Sequence, residues 1–309
     1  MRTDPVVRPG VPNGPDLQEA WTTAAAAADG AGVRISDVHD PATAARAAAL
    51  FDRVWGRSDE AASILAPEAL LAIAHAGGQV TVAQDDDEDD IIGATAAFIG
   101  LDDGVVLLHS HVTGVEAGNE GRGVARALKW YQRAWCLQRG ISLVRWTFDP
   151  AIRRNAVINL IHLGAAVAGY EHDVYGSMPD ARNASLPTDR LVVAWDLAAP
   201  RVRAAAAGRA ATPDAEALRR TGAEATLDVA PDGSPAATPS DAPRRLVRIP
   251  EDIESLRAAD IDTAAAWSMA LREHLGDPIR AGFRVSGFTR DGRYVLTRDQ
   301  RVAELRDDA

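Results

Sequence analysis

Glycines at 118, 121 and 123 separate an apolar strand pattern, Val105–Val115, from the most regular amphipathic pattern in the chain, Gly121–Gly140. Glycine lets a backbone approach a ligand closely, and amides freed at a helix N-terminus attract an anion. Arg122, Arg126 and Lys129 add local positive charge, and the acidity of the chain is expected to lie largely away from this loop. A pyrophosphate is the natural guest. Neither common phosphate motif fits, because no Lys-Ser pair follows the glycines and strict G-x-G-x-x-G spacing is absent.

The strand before the loop carries two histidines. Strand alternation puts His109, His111 and Thr113 on one face, with Ser110 and Val112 on the other. An imidazole titrates near neutrality and can take a proton from an ammonium group directly or through water. Glu116 lies just beyond this strand, and Asp149 ends the strand Ser142–Phe148. Tyr131 falls on a buried helical stripe and Tyr294 in a distant hairpin, which leaves Tyr170 and Tyr175 as candidate acids. Arg190 and Arg182 offer guanidinium forks for a substrate carboxylate. A zinc site on His109 and His111, with Asp149 or His162 as third ligand, is the weaker alternative. So is a serine hydrolase on Ser110, which lacks a G-x-S-x-G elbow.

Periodicity supplies the elements that position these groups. Val33–Ser36 reads as a strand, followed by a helix opened by Pro41 and a second over Pro67–His75. Gln79–Gln84 and Ile91–Ile99 read as strands around a solvated acidic turn, Asp85–Asp90. In Gly121–Gly140, Val124, Leu128, Tyr131 and Trp135 form the buried stripe, with Lys129, Gln132, Arg133 and Arg139 expected on the wet side. A short helix spans Asn155–His162 and a strand Leu191–Leu197. Residues 1–32 read as a disordered or variable tail in which an alanine run after Trp21 could be helical, 198–243 as an Ala/Pro-rich linker, and 244–300 as a helix-plus-hairpin extension. That extension is expected to pack on the core or on a second subunit in a homodimer.

The chain has 309 residues with 33 Lys and Arg against 44 Asp and Glu, a formal charge of −11. That balance excludes a nucleic-acid binder, whose footprint is basic. With 47% apolar and 25% charged residues and one cysteine, the composition is that of a globular protein of a reducing compartment. No apolar run is long enough for a membrane helix, and the N-terminus lacks a signal-peptide pattern, so the expectation is a soluble cytoplasmic protein without a membrane partner.

Glu120-Gly121-Arg122-Gly123-Val124-Ala125 resembles the Q/R-x-x-G-x-G/A loop of the Gcn5-related N-acetyltransferase (GNAT) superfamily, matching at Gly123 and Ala125 and departing at Glu120. The strand and helix order over about 33–197 is similar too. LHSHVTGV (108–115), WTFDP (146–150), RNAVINLIHLGA (154–165), YGSM (175–178) and LPTDRLV (186–192) resemble a bacterial branch of predicted acetyltransferases. Some of its members sit beside N-acylamino-acid racemases. The resemblance implies an α/β (α+β) GNAT fold, with a central mixed, mostly antiparallel sheet flanked by helices. It implies a metal-independent acyltransferase taking an acyl-CoA, acetyl or succinyl, and acting on the amino group of a small molecule such as an amino acid by direct attack in a ternary complex. On that pattern Val112, Gly114, Val115, Glu120, Gly121, Arg122, Gly123, Val124, Ala125, Arg126 and Asn155 would hold CoA. His111, then His109, would be the base, with Asp149 a further candidate and Tyr175 the preferred acid. Arg190 and Arg182 would bind the acceptor. The alternative is a degenerate GNAT domain that binds acyl-CoA or a partner without catalysis.

Overall fold

The computed structural model describes residues 14–56, 63–176 and 186–298. Seven strands form one sheet in the order β1-β2-β3-β4-β5-β7-β6, and five more form a second sheet, β11-β12-β10-β8-β9. The chain divides into two compact units. The first runs to Trp146 and takes back Trp195–Ala207, and the second comprises Thr147–Ala194 and the chain from Gly208 onward.

The first unit begins with α1 (Gly14–Ala31) and β1 (Val33–Asp37), then α2 (Pro41–Val54) and α3 (Pro67–His75). Asp40 caps α2 by accepting the Thr43 N–H, and prolines open both α2 and α3, where a missing amide hydrogen costs nothing. β2 (Gln79–Asp85), β3 (Ile91–Asp102) and β4 (Val105–Val115) follow, each antiparallel to its predecessor, before α4 (Val124–Gln138) crosses to β5 (Leu143–Phe148). One apolar cluster joins Leu50, Phe51, Leu70, Val80, Val82, Ala94, Ala96 and Val112 under α2 and α3. Another joins Ala31, Val33, Ile92, Val124, Ala127 and Leu128 under α1 and α4.

Over residues 14–31 the tail expected for 1–32 is corrected by α1, while 1–13 lie outside the described residues. Ala20, Ala24 and Ala31 are buried, and Trp21 meets Tyr131 of α4 edge to face at 5.2 Å. Alanines pack closely at almost no cost in side-chain entropy, so a segment with few large apolar residues still makes a core helix.

In the second unit, β6 (Ala166–Glu171) pairs antiparallel with β7 (Arg190–Asp196), and Asp189 ties the pair together by accepting the Tyr170 hydroxyl and the Arg272 guanidinium. β8 (Glu224–Val229), β9 (Pro235–Ala237), β10 (Arg244–Arg248), β11 (Phe283–Phe288) and β12 (Arg293–Arg298) make the second sheet, with β8 and β10 parallel. Helices α7 (Ala215–Arg220), α8 (Ile253–Ala259), α9 (Ile261–Leu271) and α10 (Asp277–Arg280) belong to this unit, and α6 (Pro200–Ala206) to the first. The linker expected over 198–243 is therefore folded chain. Val202, Ala215, Ala223 and Leu227 are its buried anchors, each too small or too isolated to register as an apolar pattern. The expected helix-plus-hairpin extension is likewise part of a five-stranded sheet whose core includes Leu246, Trp267, Tyr294 and Leu296. Among the described residues, no helix is long and apolar enough to cross a membrane.

Candidate functional site

β4 holds a bulge at the residue singled out by the sequence. Ala97 pairs with Ser110 and Ala96 with Val112, so His111 is the extra residue. A bulge leaves one residue unpaired and breaks the two-residue alternation. His109 and His111 share a face, with ring centroids 6.2 Å apart, and Phe98 meets His111 edge to face at 5.4 Å. The expected partition of the strand is corrected accordingly. Val112 joins the cluster under α2 and α3, and a side chain at Gly114 would strike Trp55 at 2.9 Å, whereas Thr113 bonds Thr95 across the strand pair and Ser110 turns to α4.

β4 pairs with β5 in parallel at only two positions, Leu108 with Val144 and His109 with Arg145. From Ser110 to Val115 the pairing with β5 has ended, which leaves that stretch of backbone able to bond an extended ligand as it would a neighbouring strand. His109 is half-buried and His111 exposed. Burial lowers both imidazole pKa values, and the charges of His111 and Lys129 push His109 further the same way. Both shifts favour the neutral ring, the form able to accept a proton.

The loop after β4 is shaped by glycines with positive φ. Gly121 stands at +82° and Gly123, the residue capping α4, at +96°. Left-handed backbone is what these positions require, since the space around Gly121 is open. Among the described residues no side chain caps α4, so the amides of Val124, Ala125 and Arg126 open onto the loop without a side-chain acceptor there. Arg126 is exposed on this first turn. Glu120 instead accepts the Gly118 N–H at 2.7 Å.

Arg122 is committed to the fold. Its guanidinium donates to Asp85 at 2.7 Å, to Asn119 at 2.8 Å and to the carbonyls of Ala31 and Gly32. The acidity expected away from the loop is in fact beside it: Asp85, Asp87, Glu88, Asp90 and Glu116 line, with Asn119 and Arg122, a cavity of about 400 Å³. The β2–β3 turn brings Asp85, Asp87, Glu88 and Asp90 there, and Glu116, just beyond β4, also pairs with Arg53 at 2.6 Å.

Of the wet face expected on α4, Arg139 is exposed, but Lys129, Gln132 and Arg133 are buried. Arg133, 1% exposed, pairs with Glu19 of α1 and donates to the Leu197 carbonyl. Lys129, 7% exposed, donates to Ser110 Oγ at 2.7 Å and Gln132 Oε1 at 3.1 Å, and its Nζ stands 4.3 Å from the centre of the Trp146 ring. Gln132 in turn donates to Gln79 at 2.8 Å. Burial brings the Lys129 pKa down to about 7. This network lay outside the candidates drawn from sequence, because Gln79, Ser110 and Lys129 share no motif.

The second unit holds the remaining candidates. Asp149 accepts the Ala151 N–H at 2.9 Å and pairs with Arg257 at 2.7 Å. Asn155 is half-buried in α5 (Arg153–Ala156), which continues as a π-helical turn over Val157–His162. Arg190 stacks over the Tyr175 ring at 5.1 Å and donates to the Asp189 carbonyl, while Tyr175 itself is exposed. Arg182 lies outside the described residues. No group of three or more His, Cys, Asp or Glu side chains among the described residues could hold a metal ion.

No family model and no curated protein matches the chain. Solved structures do. A GCN5-related glucosamine N-acetyltransferase region of a fungal multidomain β-N-acetylglucosaminidase is 18% identical over 37% of this chain and 13% of that one, with a TM-score of 0.32. A putative acetyltransferase of Salmonella typhimurium, yncA, solved with its cofactor acetyl-CoA, is 17% identical over 55% and 98%, with a TM-score of 0.41. An acetyltransferase of the GNAT family from Streptococcus pneumoniae is 15% identical over 52% and 97%, with a TM-score of 0.38. The sequential antiparallel order of β1 to β4, the brief parallel step from β4 to β5 and the glycine loop heading α4 are this chain's own features, and they agree with the GNAT-like fold expected from the sequence.

Proposed function

We propose that the protein is an acyl-CoA-dependent N-acyltransferase, with an acetyl or succinyl donor, acting on the amino group of a small molecule such as an amino acid or a derivative. The observation that carries this reading is on β4: its pairing with β5 stops at His109, its bulge falls on His111, and its end runs into a loop whose helix-capping amides have no side-chain acceptor. Those amides, with exposed Arg126, suit a pyrophosphate. The Arg122 side chain, bound to Asp85, supports the loop from behind and leaves its backbone amide as its contribution. The open stretch Val112–Val115 suits the pantetheine arm, whose thioester carbonyl would be polarised by a backbone amide.

His111, exposed and with its pKa lowered, serves as the base that takes a proton from the attacking ammonium, and His109 is the second choice. On the sequence reading alone, Asn155 for CoA, Tyr175 for the departing thiolate, and Arg190 and Arg182 for an acceptor carboxylate remain candidates in the second unit. Asp149 is better read as supporting the fold, since both its oxygens are engaged.

Calorimetry with CoA, followed by thiol release and mass spectrometry of products from a mixed amine pool with acetyl-CoA and succinyl-CoA, tests the reading. Binding together with an acylated amine is expected. Binding without thiol release from any amine would favour the non-catalytic GNAT domain, and no binding would remove both. His111→Ala is expected to lower kcat while CoA affinity survives; an unchanged rate would remove His111 from the mechanism.

A further inference from the structure

Ser110 and Trp146 are the first residues of β4 and β5 beyond the last paired positions, His109 and Arg145. Lys129 bridges them from α4, with Nζ 2.7 Å from Ser110 Oγ and 4.3 Å from the centre of the Trp146 ring. A buried amine at the point where two strands separate is an expensive arrangement for a fold to keep, because a charge there is poorly solvated. Its neighbours are neutral: Gln132 accepts its second bond, and Gln79 of β2 only extends the chain of bonds. The titratable groups coupled to it electrostatically are His109 on β4 and Cys136 on α4, and the Cys136 thiol is itself held neutral by burial. Among the described residues its bonded partners include no carboxylate.

Ser110 Oγ accepts from Lys129, which leaves its own hydrogen free to be donated. The strand edge at Ser110 is also where an extended ligand running along β4 would reach the end of the gap. We propose that Ser110 and Lys129 are a proton-delivering pair for acyl transfer, Ser110 protonating the departing thiolate while Lys129 reprotonates Ser110. This rests on the acyltransferase reading above, and it assigns the acid role to a pair in the first unit in place of Tyr175. As the amine nitrogen, its proton taken by the base, bonds the acyl carbon, the carbon–sulfur bond breaks and its electron pair leaves on sulfur. The Ser110 hydroxyl gives its proton to that sulfur and takes one from the Lys129 ammonium. The products are a neutral thiol, an intact serine and a neutral lysine, which takes a proton from solvent before the next turnover. Ser110 is the residue that would touch the substrate, and Lys129 acts through it.

The test measures thiol release against pH for the full chain, using CoA and the amine and donor found in the product screen. Wild type is expected to lose kcat on the alkaline side as Lys129 deprotonates. Ser110→Ala and Lys129→Met should lower kcat about 100-fold, lose that alkaline limb and leave the CoA Kd within a few-fold of wild type. Ser110→Thr, which keeps the hydroxyl, should recover most of the rate. A role in packing alone would instead weaken stability and CoA binding without removing the limb. Wild-type turnover with the rate and alkaline limb preserved in Ser110→Ala would overturn the relay and leave the acyltransferase reading standing. A wild type that neither binds CoA nor releases thiol would overturn both.

Discussion

Lys129→Met offers a stability test that is independent of any substrate. In wild type, burial lowers the Lys129 pKa from 10.5 to about 7. Between those values the unfolded chain binds a proton that the folded chain does not, so stability rises with pH across that window. Above 10.5 the amine is neutral in both states and the stability is fully present; as pH falls through about 7 it has been lost and the cost becomes constant. Each pH unit inside the window corresponds to about 1.4 kcal/mol. Integrated from about pH 7.5 to about pH 9.5, wild type should gain about 2.5 kcal/mol relative to the methionine variant. Titrating groups other than His109 and Cys136, which sense the Lys129 charge, are common to the two proteins and cancel in the difference. The variant also strips Ser110 Oγ and Gln132 Oε1 of their donor, but that penalty does not vary with pH. Urea unfolding of both proteins at several pH values, followed through tryptophan fluorescence, measures the difference directly. A difference that stays constant across the window would refute a buried, neutralising Lys129, and would remove the physical basis for its role as a proton donor.

Three further outcomes follow from named contacts. Gly123→Ala forces a side chain into a φ of +96°, which should destabilise the first unit by about 1–2 kcal/mol and weaken CoA binding in calorimetry; unchanged affinity would separate the cap from the ligand. Gly276→Ala places a methyl carbon 2.8 Å from ring carbons of Tyr170, a ring held by its bond to Asp189. The cost should be about 1–3 kcal/mol, read as a lower Tm, and an unchanged Tm would show that the ring can move aside. Asp149→Asn leaves Arg257, its side chain 9% exposed, without its counter-ion. A loss of about 3–5 kcal/mol in urea unfolding is expected, and a loss below about 1 kcal/mol would show that water replaces the carboxylate.

The strands and helices from Val33 to Phe148 were legible because each carries its own period: β-branched runs bounded by turn residues, and apolar positions three and four apart in α4. The positive-φ glycines of the loop were legible for the same local reason. The alanine helix α1 was harder to read, because alanine is compatible with both exposure and burial. What covers it, α4, lies about a hundred residues along the chain, and no local pattern records that contact. The register of β4 failed differently. Alternation predicts faces only while the ladder is regular, and one extra residue at His111 moves Val112 to the face opposite Ser110.

The side chains that matter most for chemistry were misplaced by their type. Arg122 and Arg126 look equivalent in sequence, two exposed cations beside a glycine loop, yet the guanidinium of Arg122 is bound to Asp85 and two backbone carbonyls. Lys129, Gln132 and Arg133 look like a solvent face because long polar side chains usually are one. Here α1 and the sheet cover opposite sides of α4, and each polar end is met by a partner distant in the chain: Ser110, Gln79 and Glu19. Burial of such groups is decided by whether partners exist, and the partners belong to other elements. The same non-local pairing that hides Lys129 from a sequence reading is what holds it against Ser110 where β4 and β5 part. A lysine on the wet face of α4 would keep a pKa near 10 and lie too far from the strand gap to deliver a proton, so the acid role depends on the burial itself.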